Sequence, residues 1–136
     1  MSRTVRLAAL SFSLIAFAGC KKDDSVKESL DLLAKHGKEI TTKVTGASDK
    51  KAGVADAQKY LDANKDDIVK RMKEMSELRG FQLSEDMTKK MAEGIIDATF
   101  MCTKLQTEIM AATMEDEELD KAVDKLCADW DNAVKI

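Results

Sequence analysis

The sequence contains no proline, only six glycines, and few aromatic residues: four Phe, one Tyr and one Trp. Sandwiches and barrels need turn-forming residues and strands rich in aromatic and β-branched side chains, so this composition argues against both. Ala, Lys, Glu and Met are abundant instead, and they favour helices. A chain of 136 residues, 44% hydrophobic and 35% charged, has room for one helical domain with an apolar core.

The chain also lacks an excess of basic residues and has few motifs with a known chemistry. The 25 acidic residues outnumber the 22 basic ones, and His36 is the only histidine. A nucleic-acid partner is not expected, because such binding needs a basic surface. The chain has no Gly-rich phosphate loop, no Cys-x-x-Cys-His haem attachment and no paired Glu-x-x-His motifs of di-metal bundles. We therefore predict a non-enzymatic protein with no catalytic residue, no metal site and no resident cofactor.

The first 19 residues have the pattern of a signal helix. Arg3 and Arg6 precede the uncharged stretch 7–19. A helix of that length spans about 20 Å, which is too short for a bilayer core of about 30 Å. The stretch ends in Phe17-Ala18-Gly19-Cys20, which resembles the lipobox of bacterial lipoproteins, with Phe17 where Leu is usual. An ordinary secretory signal followed by a stray cysteine is the alternative.

The resemblance implies a lipid anchor on Cys20. Residues 1–19 are then a cleaved signal peptide, 20–24 the lipidated cysteine with a short tether, and 25–136 the bundle domain. Acyl groups such as palmitate would make membrane lipid a partner, since several chains anchor a protein stably. Lys21 is not the Asp that retains enterobacterial lipoproteins in the inner membrane. The expected location is therefore the cell envelope, at the outer membrane facing the periplasm. The rest of the chain resembles no specific family.

Four runs of apolar residues at heptad spacing predict the fold. They cover about 25–44, 49–79, 85–112 and 115–134, and the short breaks between them predict an all-α, up-down-up-down antiparallel four-helix bundle. Ser48 and Ser84 are the predicted N-caps of the second and third helices. Asn64 interrupts the apolar seam of the second helix, so a kink near Asp62 to Asp66 is an alternative to a straight helix.

Two cysteines remain once Cys20 is assigned to lipid. Cys102 lies 12 residues before Met114 and Cys127 lies 13 residues after it, and the last turn is predicted around Met114. In an antiparallel hairpin both cysteines then sit at the same height, as a disulfide requires. An oxidising envelope compartment favours such a bond. A metal-binding pair and a redox-active dithiol are the alternatives.

The second turn presents a candidate interaction patch. The predicted second helix is longer than the first, so the hairpin 70–93 would project beyond the bundle at the anchored end. In the other interpretation the hairpin folds back and its methionines are ordinary core. The projecting form would expose an apolar patch for an envelope protein or lipid headgroups, formed by Met72, Met75, Phe81, Leu83, Met87 and Met91.

The function predicted from these features is a membrane-anchored envelope lipoprotein that acts as an interaction or structural module, with its partner and oligomeric state left open. The alternative is a bundle that binds a small ligand. Haem would need His36, with Met110 as the nearest second axial ligand. Copper would need the thioethers of Met72, Met75, Met87 and Met91. A surface position for His36 and core positions for the methionines are the simpler interpretations.

Overall fold

The computed structural model describes residues 20–78 and 82–135 and contains four helices. They are α1 (Cys20–Thr45), α2 (Lys50–Ser76), α3 (Glu85–Glu115) and α4 (Glu117–Val134). The described part of the chain has no strand. The predicted all-α four-helix bundle is confirmed, and consecutive helices alternate in direction.

The helices are arranged as two antiparallel hairpins packed side by side. α1 packs against α2 and α3, and α4 packs against α2 and α3, so α2 and α3 lie across one diagonal of the bundle. Asp23 at the start of α1 accepts a hydrogen bond from the backbone N–H of Ser84, just before α3, at 3.0 Å. On α2 and α4, Gln58 donates to Asp129 at 2.9 Å. The neighbours α1 and α3 are therefore parallel, as are α2 and α4.

This arrangement corrects the predicted neighbourhood of α2 and α3. We expected a short turn to place α2 and α3 side by side as an antiparallel hairpin. The connection 77–84 is long enough to cross the end of the bundle instead. α2 and α3 therefore do not form an antiparallel hairpin with facing side chains.

The helix ends differ from the predicted ones at the anchor end of the molecule. α1 begins at Cys20, so the segment 20–24, expected to be a tether, forms the first turn of the helix. α2 ends at Ser76 rather than at residue 79, and it runs without a break through Asp62 to Asp66. Since α1 is longer and α2 shorter than predicted, α1 begins and α2 ends at similar heights, and the described residues of the hairpin 70–93 do not project.

Side-chain caps set where the helices start. Ser84 caps α3 as predicted, accepting from the backbone N–H of Met87 at 3.1 Å. The cap of α2 is Asp49 and not Ser48, since the Asp49 carboxylate accepts from Ala52 N–H at 3.2 Å. Asp116 caps α4 and also pairs with Lys51 at 3.0 Å. Lys51 reaches Glu118 too, at 2.8 Å, so it joins the parallel starts of α2 and α4.

The core is a single cluster of apolar side chains from all four helices. Fully buried at its centre are Ile40, Leu61, Leu105, Leu126 and Trp130. Near the turn between α1 and α2 the backbones come very close. A Cβ on Gly53 would stand 2.6 Å from the Lys43 carbonyl oxygen, so only glycine fits there. Among the described residues, no helix has the length and apolar character needed to cross a membrane.

Candidate functional site

The described residues of the predicted interaction patch are buried or partly buried. Met72 and Met75 are 1% and 2% exposed, while Leu83 and Met87 are 9% and 7% exposed. Met91 is partly buried against the same core. Phe81 lies outside the described residues. The prediction of an exposed patch is therefore wrong for these methionines and Leu83. The alternative, in which they are core, is right, although it needs no kink because α1 extends back to Cys20 and covers them.

The predicted disulfide pair is confirmed by the structure. Cys102 and Cys127 are bonded across the α3–α4 hairpin, with 5.5 Å between their Cα atoms. Gln106 donates to Asp124 at 3.2 Å one turn further along, which fixes the same register. Closing a loop of this size stabilises a protein by about 3 kcal/mol in the chain-entropy model. Within residues 20–78 and 82–135, no three His, Cys, Asp or Glu side chains gather as a metal site would require.

Trp130 joins three helices at the centre of the bundle. Its indole Nε1–H donates to the backbone carbonyl of Ala98 on α3 at 2.8 Å, so its polar atom is satisfied inside the core. The edge of its ring lies close to Gly37 on α1, where a Cβ would be 3.8 Å away. The tryptophan sits one turn after Cys127 on α4. The disulfide and this hydrogen bond therefore hold α4 against α3 at neighbouring points.

The single histidine is buried rather than on the surface as expected. His36 is 6% exposed, and its Nδ1 is 2.8 Å from the hydroxyl of Tyr60 on α2. The other ring nitrogen, Nε2, is buried with no hydrogen-bond partner among the described residues. Loss of hydration in the core lowers the pKa of His36, and Lys35 lowers it further while Asp67 opposes the shift. Burial raises the pKa of Tyr60.

The haem and copper arrangements find no support in this geometry. Met110 is 56% exposed on α3, whereas His36 is enclosed between α1 and α2 and bonded to Tyr60. The two side chains therefore do not form an axial pair. Met72 and Met75 come from α2 and Met87 from α3, and all three are packed into the apolar core. That environment is typical of methionine as a gap-filling residue.

An apolar groove runs along the parallel pair α1 and α3, a feature that the sequence patterns did not predict. It encloses about 300 Å³. Small residues make its walls, and a Cβ on Gly94 would come 2.7 Å from a methyl group of Leu30. Trp130 and Met101 lie at its base, and four charged residues stand among its lining side chains: Lys38, Asp97, Lys104 and Glu108.

A second apolar feature lies on the outer side of α3. Four large side chains there are more than half exposed: Ile96 and Phe100 at 54% each, Met110 at 56% and Met114 at 79%. The apolar run that predicts α3 is its inner seam, and it does not include these residues. Their spacing was the available signal, because a second heptad series on one helix indicates a second contact face.

Comparison with known protein families, with curated proteins and with solved structures gives no match for this chain.

Proposed function

We propose that the protein is a lipid-anchored module of the bacterial cell envelope, which carries a rigid helical bundle on a membrane and acts by binding rather than by catalysis. One observation supports this most directly. The lipobox-like pattern marks Cys20 for acylation, and α1 begins at that same residue. An anchor on Cys20 would therefore continue into the bundle without a flexible linker.

Contacts at the same end of the molecule support the proposal further. The start of α1 is held to the start of α3 by the hydrogen bond from Ser84 to Asp23. Hydrogen bonds from the Ser84 side chain and from its backbone N–H hold the pKa of Asp23 below its usual range. An anchor on Cys20 would therefore fix the orientation of two parallel helices, α1 and α3, relative to the membrane.

A binding role is favoured over catalysis by what surrounds His36. The bundle's only histidine packs against Tyr60, and its ring is shielded from solvent. The candidate binding surfaces lie elsewhere and are apolar. They are the groove between α1 and α3 and the exposed outer side of α3. Apolar features of this kind are typical of protein interaction sites. An envelope protein is therefore the proposed class of partner.

Metabolic labelling with a palmitate analogue tests the anchor. The natural protein should take up label and migrate as a processed form. Cys20→Ser should remain an unlabelled precursor. The matched control is the double variant Cys102→Ser with Cys127→Ser, which removes two other cysteines and should keep the label. Normal processing and labelling of Cys20→Ser would contradict the proposal.

Location within the envelope needs a separate test. Lys21 follows the proposed acylated residue, and an Asp in that position retains enterobacterial lipoproteins in the inner membrane. In such a host the natural protein should fractionate with the outer membrane, and Lys21→Asp should move to the inner membrane. If both proteins fractionate with the inner membrane, the proposed outer-membrane location is wrong while the anchor itself remains testable by labelling.

A further inference from the structure

The outer side of α3 carries an apolar stripe that none of the described residues covers. The stripe consists of Ile96, Phe100, Thr103, Thr107, Met110 and Met114, all of them exposed. Their spacing of four, three, four, three and four residues is that of a coiled-coil seam. The inner seam of α3, which includes Cys102, Leu105 and Ile109, is already buried in the bundle. The helix therefore has two contact faces, and the described residues cover only one of them.

From this stripe we propose that the protein forms a two-fold symmetric dimer in which α3 packs antiparallel against α3 of a second copy. A two-fold interface is self-complementary, so the stripe would supply both halves of the contact. The helix has 31 residues and is about 46 Å long, which allows contact over several heptads.

Charge supports a second copy as the occupant. Asp97 and Lys104 flank the stripe on the side that faces α1, seven residues apart, and they form a long intrachain pair at 3.6 Å. In a heptad they occupy equivalent positions on one edge of the seam. An antiparallel two-fold near residues 101 and 102 brings Asp97 of each copy opposite Lys104 of the other, as flanking charges do in antiparallel coiled coils.

Side-chain size favours the same register. With the two-fold at this position, Phe100 lies opposite Thr103 of the second copy, and Ile96 lies opposite Thr107. In the four central layers large and small side chains thus alternate across the contact, as close packing between helices requires. Further out, the same register places Met110 and Met114 opposite Glu93 and Lys89 of the second copy. The axis also falls near the middle of α3, so the helices overlap for almost their whole length.

The surface charge of the stripe argues against lipid as the occupant. Along α3 the exposed charges alternate in sign and pair locally, as in Lys89 with Glu93 and Lys90 with Asp86. Binding to an anionic membrane surface would need an excess of basic residues around the apolar side chains. Acidic and basic residues are instead mixed along α3. A second copy of the chain, aligned antiparallel, would present the same charges in the opposite order, which fits this mixture.

The dimer has a consequence for anchored chains, and this consequence alone rests on the function proposed above. Because α1 is parallel to α3, the two Cys20 ends would point in opposite directions, separated by about 50 Å along the helices. Upright chains in one membrane could not pair in this way. Chains anchored in two facing membranes could, so for anchored chains the dimer would require some copies outside the proposed outer membrane.

Charge reversal with mixing tests the pairing itself. The purified protein, as its host processes it, is studied by sedimentation velocity in density-matched detergent. Asp97→Lys places two lysines opposite each other across the axis, and Lys104→Asp places two aspartates opposite each other there. Each variant alone should therefore dimerise roughly ten-fold more weakly than the natural protein. An equimolar mixture of the two should recover the dimer, since every contact across the axis is again between opposite charges.

The matched control is Lys59→Asp, a charge reversal on α2 across the bundle diagonal, which should leave the dimer unchanged. A natural protein that remains monomeric at high concentration would overturn the proposal. So would single variants that dimerise normally or a mixture that does not recover the dimer. Cys20→Ser, which removes the proposed anchor, should dimerise as the natural chain does. Failure of the anchor and failure of the dimer are thereby distinguished.

Discussion

Trp130 and His36 are polar side chains inside the bundle that differ in how many of their polar atoms have a hydrogen-bond partner. Trp130 has one donor, and the carbonyl of Ala98 accepts from it. His36 has two ring nitrogens, and only Nδ1 has a partner, the Tyr60 hydroxyl. A buried polar atom without a hydrogen bond destabilises the fold by about 1–3 kcal/mol. His36 is therefore a weak point in the seam between α1 and α2, and its protonation would make that seam weaker.

Stability should consequently decrease on mild acidification. The folded protein holds His36 with a lowered pKa because burial disfavours the charged ring. The unfolded chain has an ordinary histidine pKa, so it binds the proton more readily and gains population as the pH falls. The free energy of unfolding should be highest above about pH 6.5 and should decline as the pH falls below it. Urea unfolding followed by circular dichroism at several pH values measures this.

The matched control for the pH effect is His36→Gln, which retains a polar group for Tyr60 but does not titrate. Its free energy of unfolding should be nearly flat between about pH 7 and pH 5.5, above the range where carboxylates titrate. An equally steep decline in His36→Gln would assign the effect to other groups.

Individual residues were predictable where the signal was local or lay within one hairpin. Ser84 was identified as a cap because the cap and the N–H it binds are three residues apart. Cys102 and Cys127 were paired because one short turn separates α3 from α4. The burial of His36 was not predictable, since its place beside the apolar seam of α1 indicates a surface. Its partner Tyr60 is 24 residues away, on a helix whose rotation the sequence does not specify.

Whole helices followed their apolar periodicity closely, and the errors lie in how they are connected. α3 and α4 are joined at Asp116 alone, which leaves no choice but an antiparallel hairpin. The connection 77–84 gives α3 two available positions, beside α2 or across from it. The choice depends on how well faces pack, because α3 buries its inner seam against α1 and α4. No local sequence pattern shows which of the two positions of α3 packs better.

Two glycines in helix interiors should respond oppositely to the same substitution. Gly→Ala in a helix ordinarily stabilises a protein by up to about 1 kcal/mol. At Gly37 the new Cβ would meet its nearest neighbour, Met101, at 3.5 Å, so Gly37→Ala should be stabilising. At Gly53 the Cβ would lie 2.6 Å from a backbone oxygen of α1, so Gly53→Ala should destabilise by about 1–3 kcal/mol.

Thermal and urea unfolding of both variants measure the difference. Circular dichroism should show the same helical content for each in the cold, since both remain good helix formers. If Gly53→Ala were as stable as Gly37→Ala, then α1 and α2 would not approach each other at their shared turn as closely as the structure shows.

At the scale of the whole molecule, the bundle has two distinct ends. The start of α1, the start of α3 and the end of α2 lie at one end. The starts of α2 and α4, bridged by Lys51, lie at the other. Parallel neighbours place like ends of helix dipoles side by side, and acidic residues at a helix start offset this. α4 has Glu117, Glu118 and Asp120 in its first turn.

This polarity makes the orientation on a membrane measurable. If Cys20 is acylated, the bundle continues directly from the anchor, and the starts of α1 and α3 should lie next to the lipid headgroups. Glu85 and Glu115 are both exposed and mark the two ends of α3, about 45 Å apart. Glu85→Cys and Glu115→Cys are thus matched positions for a spin label, because the same residue type is replaced at each end of one helix.

Vesicles that contain a nickel-chelating lipid then report the distance of each label from the surface, since Ni²⁺ relaxes a nearby spin. The vesicles are loaded sparsely so that each chain is studied alone. We expect strong relaxation at Glu85→Cys and almost none at Glu115→Cys, because the relaxation falls off steeply with distance and the second label would stand about 45 Å further from the surface. Equal relaxation of both labels would mean that the bundle lies flat, with the outer side of α3 or the α1–α3 groove turned to lipid. Strong relaxation at Glu115→Cys alone would reverse the orientation and place the attachment at the end opposite Cys20.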